Sequence, residues 1–267
     1  MSPKRTCFII SSPLRHRVVS LFKRIFNFEP IAVAKMELRL NTRYTPGAAF
    51  PLKAGLVIDA TEWPVQVLNI SGNGLGLQVA PAAPLVEGTA VKVHLGFGHH
   101  QQLLDAKLVQ VRPERRSVYC GLGLKFADFL AQKTYLQLLQ PIAIGQSLVP
   151  VADELVIQNE PRFTKKVFRG DDQSTLTVWF EKDSATPLHS FEFQMHDYFC
   201  HVDGKSGMLE AYQRAATDSH KGKLSNPVFD ISGSLHAEIR QLFRWILPNL
   251  SAQVPDDIRA FLQRFAA

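Results

Sequence analysis

A chain of 267 residues, 46% hydrophobic, 20% charged and with a mean hydropathy of −0.03, has the composition of a globular protein with room for two cores, which excludes disorder on the scale of a domain. Almost all of the +6 net charge sits in residues 1–30, where Lys4, Arg5, Arg15, Arg17, Lys23 and Arg24 stand against Glu29 alone. The pI of 9.3 is therefore the property of a tail and does not argue for a nucleic-acid-binding body.

The chain opens with Cys7 to Ile10, an apolar run too short for a signal peptide. Ser12-Pro13 then has the chemistry of a helix start, with serine as cap and proline in the first turn. Leu14, Val18, Leu21, Phe22, Ile25 and Phe26 recur at helical spacing, with basic residues between them, until Pro30. The pattern predicts a basic amphipathic helix over about 13–28, within an N-terminal arm of residues 1–34. Its apolar stripe is expected to dock on this chain or a protein partner, and an anionic membrane surface is the second candidate.

From Lys35 the pattern changes to short strands at 56–58, 65–70, 76–79, 90–95, 103–111 and 118–126, separated by Gly, Pro and Asn. Such spacing predicts a small antiparallel barrel. A helix is expected over 129–139, stopped by Pro141, with an uncharged linker at 143–150. Strands follow at 163–169, 175–181, 190–196, 198–202 and 208–212, then a polar loop at 219–225. Helices are expected at 235–247 and from Asp256 onward. Strands followed by helices predict an α+β unit. The fold class is thus mainly β with an α+β second domain, divided into 1–34, 35–142, a linker at 143–153, and 154–267. The role of the last unit is not legible in its residues.

Two clusters carry chemistry. Arg39 and Arg43 form an RxxxR pair ahead of the barrel, and Asn69, Ser71 and Gly74 form NxSxxG across a strand and a turn. A guanidinium fork matches guanine O6 and N7, and it also pairs with phosphate. An asparagine amide both accepts from guanine N–H groups and donates. Ser71 shares the face of Asn69 if the strand continues, and Gly74 permits close backbone approach. Each cluster taken singly is a common short pattern. Beyond them come Leu75-Gly76-Leu77, Glu87-Gly88, the strand from Val91 to Leu95, and Gly121-Leu122-Gly123-Leu124-Lys125-Phe126.

In this order, over about residues 36–140, the chain resembles the PilZ domain family. The resemblance implies a six-stranded antiparallel barrel, often followed by a helix, that binds cyclic di-GMP. It implies that Arg39 and Arg43 clamp the ligand and that Asn69, Ser71 and Gly74 form the strand half of its site. It further implies a second-messenger receptor acting on motility, biofilm or polysaccharide control, with no other cofactor. A PilZ-like scaffold that binds partners and no nucleotide is the alternative.

The remaining clusters have local explanations. His189, His196, Cys200 and His201 lack the tight spacing of a metal site. Asp171-Asp172 sits by a turn, Asp256-Asp257 suits the first turn of a helix, and Arg112, Arg115 and Arg116 form a solvated group near a hairpin. No residue set has the context of a catalytic nucleophile, so no enzyme and no metal are expected. Cys7, Cys120 and Cys200 form no CxxC pair and fit a reducing cytoplasm. The uncharged stretches 63–86 and 134–152 are too interrupted to span a membrane, so any inner-membrane contact would be peripheral. A protein partner is expected on the C-terminal domain or the N-terminal helix, and no specific nucleic acid.

Overall fold

The computed structural model describes residues 42–265 apart from 99, 172, 183, 185–187, 196–197, 203–206, 215–228 and 231–232. The amphipathic helix expected over 13–28, Arg39 and the polar loop at 219–225 lie outside the described residues.

Strands β1 (Leu52–Ile58), β2 (Thr61–Ser71), β3 (Gly74–Val79), β4 (Ala90–Phe97), β5 (His100–Pro113) and β6 (Val118–Lys125) close into an antiparallel barrel in the order β1-β2-β3-β6-β5-β4. Alternation of apolar and polar side chains is clearest in β4. Along β4, Val91, Val93, Leu95 and Phe97 are buried, while Lys92 faces solvent. Each strand is the one the spacing predicts, at its predicted place, and several run on into the flanking turns. Asp59 and Ala60, with φ of 46° and 63°, make the tight β1–β2 hairpin that matches the strand twist.

Helix α1 (Phe129–Ser147) starts where predicted, with Asp128 Oδ1 accepting from the Ala131 amide at 2.7 Å. It does not stop at Pro141. The helix runs through the proline to Ser147, so the segment expected as an uncharged linker is mostly helical, and it leads into the short strand β7 (Val149–Pro150). Proline costs this helix one hydrogen bond. Burial of Leu138, Leu139, Ile142, Ala143 and Ile144 offsets that loss. The stretch lacks charge because it is an interior helix.

The C-terminal unit is an antiparallel sheet built on β7 by β8 (Phe163–Arg169), β9 (Thr175–Glu181), β10 (Leu188–Met195), β11 (Tyr198–Val202), β12 (Leu209–Arg214) and β13 (Phe229–Asp230). Helices α2 (Gly233–Ile246) and α3 (Asp256–Gln263) follow it, joined by a 3₁₀ turn at Leu247–Asn249. Phe191, Phe193 and Met195 point to one face, where the Phe191 ring lies 5.5 Å from Phe243 of α2 and 5.9 Å from Phe261 of α3. No helix among the described residues is long and apolar enough to cross a membrane.

The two units share a core. Helix α1 packs on α2 and the 3₁₀ turn, and the Phe97 ring lies 4.5 Å from Trp245 and 5.0 Å from Phe50. Residues 44–50, the segment leading into the barrel, are caught in this seam. The Gly47 amide donates to Asn249 Oδ1 at 2.8 Å, and the Thr45 amide donates to Gln146 Oε1 at 3.2 Å.

Burial pushes the Cys120 thiol up to about 11 and raises that of Cys200 further. Both sulfurs are enclosed, so Cys120 and Cys200 are expected to resist alkylation at pH 8 in the native protein and to react once it is unfolded, as mass spectrometry of the adducts at these two positions would show. The sign for stability follows from the direction of the shift. The Cys120 contribution is complete below the unfolded thiol value of about 8.5 and disappears as pH rises through 11.

Candidate functional site

The site is built on the outer face of the barrel where β2, β3, β6 and β5 lie side by side. Tyr44 pairs with Ile70 through two backbone bonds of 2.8 Å, and both side chains are buried. This bridge pins the incoming segment to β2 between Asn69 and Ser71. Continuing its antiparallel register sets Arg43 opposite Ser71, on the outer face that Asn69 and Ser71 share.

A cleft of about 310 Å³ opens there, lined by Arg43, Asn69, Ser71, Asn73 and Gly74 on one side and by Val109, Gln110, Tyr119, Gly121 and Gly123 on the other. Four of the five residues singled out in the sequence therefore meet at one place, and the fifth, Arg39, lies outside the described residues. Both wall strands are bulged at the cleft. The register shifts between Val67 and Asn69 in β2 and between Leu108 and Gln110 in β5. Bulges re-aim side chains and are frequent beside binding sites.

The members of NxSxxG differ in what they do. Asn69 is half-buried and faces the cleft. Ser71 is only 6% exposed; its hydroxyl lies 3.1 Å from Asn73 Oδ1 and 3.3 Å from the Gly74 carbonyl, and it ties the turn together. The Ser71 carbonyl in turn accepts from the buried Tyr135 hydroxyl of α1 at 2.7 Å. At Gly74 an ideal Cβ would come within 2.8 Å of the Leu122 carbonyl, so only glycine allows β3 to lie this close to β6.

Sequence reasoning missed Asn73, Val109, Gln110, Tyr119 and Gly121. Most of them arrive from β5 and β6, tens of residues downstream, and only the sheet register brings them to β3. One signal was available: glycines at 121 and 123 inside a strand mark a bulge or a close approach. Arg112, one of the arginines expected to be solvated, lies with its guanidinium 5.0 Å from the centre of the Tyr119 ring and 3.5 Å from the Glu114 carboxylate, which offsets its charge.

Chemically the cleft offers a guanidinium, two asparagine amides, a glutamine amide and a phenol. Among the described residues its lining holds no carboxylate, histidine or cysteine. A second cleft of about 420 Å³ is lined by Asp59, Lys92, Asp105 and Lys125, but Lys92 and Asp105 neutralise each other at 3.0 Å. The histidine–cysteine group disperses. Cys200 points at α2, with its sulfur 3.8 Å from the Ile239 carbonyl, while His201 follows it onto the opposite face. His189 packs against Phe163 at 4.6 Å, and His196 is outside the described residues.

One family model and several solved structures match this chain. The family model described as "PilZ domain" matches residues 37–141, from the arm ahead of the barrel to Pro141 in α1. No curated protein matches the chain. Similar solved structures include the PilZ domain with c-di-GMP of YcgR from Escherichia coli, at 13% identity over 37% of this chain and 86% of that one, TM-score 0.34. An uncharacterized Legionella protein is similar at 14% identity over 37% and 90%, TM-score 0.24. The PlzA protein of Borreliella burgdorferi in complex with c-di-GMP is similar at 11% identity over 82% and 99%, TM-score 0.32. With the family match laid over a closed six-stranded barrel and its trailing helix, residues 37–141 of this chain are a PilZ domain.

Proposed function

We propose that this protein is a receptor for cyclic di-GMP that binds the dinucleotide in the cleft between β2–β3 and β5–β6. The observation that carries the reading is the convergence of Arg43, Asn69, Ser71 and Gly74 on one cleft inside the region matched by the PilZ family model. Arg43 serves as a fork for a phosphate or for guanine O6 and N7, joined by Arg39 four residues upstream. Asn69 reads the base edge through its amide, the Ser71 hydroxyl keeps the turn in shape, and Gly74 lets β3 lie close to β6 beside the cleft.

The same reading supplies a route to an output. The arm that carries Arg43 is bonded at Thr45 to α1 and at Gly47 to the C-terminal unit. Ligand that draws on Arg43 therefore acts on a segment wedged between the two units. It shifts their balance to the extent that the two arrangements bind it unequally.

Calorimetric titration of the full chain with cyclic di-GMP tests the proposal. Saturable binding is the expected result. Absence of binding heat at several temperatures, together with unchanged melting at saturating dinucleotide, would leave the barrel as a scaffold that takes no nucleotide.

A further inference from the structure

Resting on the receptor reading of this cleft, we propose that Gly76 is a specificity-determining residue, one that acts through Asn69. The pairing of β2, β3, β6 and β5 places Asn69, Gly76, Gly121 and Gln110 in a single row across the outer face of the barrel. In most sheets the side chain at position 76 would stand up between its neighbours in this row. Here the Asn69 side chain takes that space. An ideal Cβ on Gly76 would lie 2.4 Å from Asn69 Nδ2 and 2.8 Å from both its Cγ and its Oδ1. The amide is therefore laid flat over the β3 backbone, reaching toward β6, and not standing upright over its own strand.

Nothing else fixes that pose. Among the described residues no hydrogen bond holds the Asn69 amide, so its direction is set by the β2 bulge behind it and the vacant Cβ position in front of it. An amide without a partner of its own keeps its donor and its acceptor for a base edge. The neighbouring glycines serve other ends. At Gly74 the close atom is the Leu122 carbonyl, a backbone contact, and at Gly121 a Cβ would meet only ordinary contacts of 3.5 Å and longer. Gly76 is the glycine of this row whose missing side chain is filled by a residue of the candidate site. Glycine inside a strand is unfavourable, and close approach of another group is one of the reasons it is found there.

The inference separates base recognition from phosphate recognition. Arg43 meets the phosphate charge that any cyclic dinucleotide carries, whereas Asn69, held in one pose, presents its donor and acceptor to the base edge in a fixed order, and guanine and adenine differ there. Gly76→Ala forces Asn69 out of its pose. It is expected to weaken cyclic di-GMP binding roughly tenfold while changing cyclic di-AMP binding little. The discrimination between the two should fall accordingly. In an Asn69→Ala background the same Gly76→Ala change should alter neither affinity by more than about twofold, since residues acting as one unit are not additive.

The experiment is calorimetric titration of wild type, Gly76→Ala, Asn69→Ala and the double variant with both dinucleotides, with thermal melting of all four. Gly76→Ala that keeps wild-type affinity and discrimination overturns the inference while leaving the receptor reading in place. So does an equal loss in the presence and absence of Asn69. Wild type that binds neither dinucleotide overturns the receptor reading and the inference together. Should Gly76→Ala melt early, the cycle in melting temperature decides, because removing Asn69 must then restore the loss if the two side chains compete for one space.

Discussion

Exchanging Arg43 for alanine is expected to weaken cyclic di-GMP binding by about 2–3 kcal/mol, roughly 30- to 150-fold, with the fold intact. The side chain is exposed on the outer face, so its removal leaves no cavity and no buried partner. The loss comes from a charge-assisted fork to a dianionic ligand, and such bonds are about twice as strong as neutral ones. Arg43→Lys should recover part of the affinity, because a point charge still meets phosphate but lacks the planar fork. Salt should narrow the gap between wild type and Arg43→Ala, since part of the arginine's contribution is screened. Titration at two ionic strengths checks each of these. An Arg43→Ala protein with the wild-type dissociation constant would remove the clamp from the proposed site.

The second large effect lies away from the ligand. Gly47→Ala should destabilise the protein by about 3 kcal/mol, which for a chain of this size lowers the melting temperature by roughly 6 to 12 °C. An ideal Cβ at this position would sit 1.8 Å from the carbonyl oxygen of Pro248 and 2.6 Å from its carbon. Both are backbone atoms of the 3₁₀ turn, so no rotamer change relieves the overlap. Either the arm or the turn must retreat. Retreat stretches the bond from the Gly47 amide to Asn249 Oδ1 and disturbs the stack of Phe50, Phe97 and Trp245. Asn249 holds its place by donating to the Trp245 carbonyl at 2.9 Å, so the strain reaches α2 directly. Thermal unfolding followed by circular dichroism measures the shift. A Gly47→Ala protein that melts with wild type would show that this seam contributes nothing to stability.

These two residues are four positions apart, yet one is exposed at the candidate cleft and the other is locked into the interdomain seam. Tyr44 lies between them, and its bridge to Ile70 is the pivot. A short stretch of chain thus belongs to the site at one end and to the seam at the other. That arrangement gives the receptor reading its physical means of relay.

Much of this was legible in the residues. Alternation of apolar and polar side chains located all six barrel strands and the main strands of the second sheet, because burial on one face imposes a period of two wherever a strand forms. The helical stripe of Ile239, Leu242, Phe243 and Ile246 located α2 for the same reason. Arg43 of the RxxxR pair lines the near wall of the cleft with the NxSxxG residues, which stay together in space because they lie close in sequence on one strand and its turn. Pro141 misled, because the cost of one lost helical bond is read locally while the gain from burying Ile142 and Ile144 is not. The far wall at Val109, Gln110, Tyr119 and Gly121 was decided only by strand pairing, which joins residues some forty positions apart and leaves no local trace. The sharing of one core by the two units was likewise a matter of tertiary packing. Residues 143–150 read as a linker in the sequence alone, and only the fold shows that Leu138, Leu139, Ile142 and Ile144 are buried, and against what.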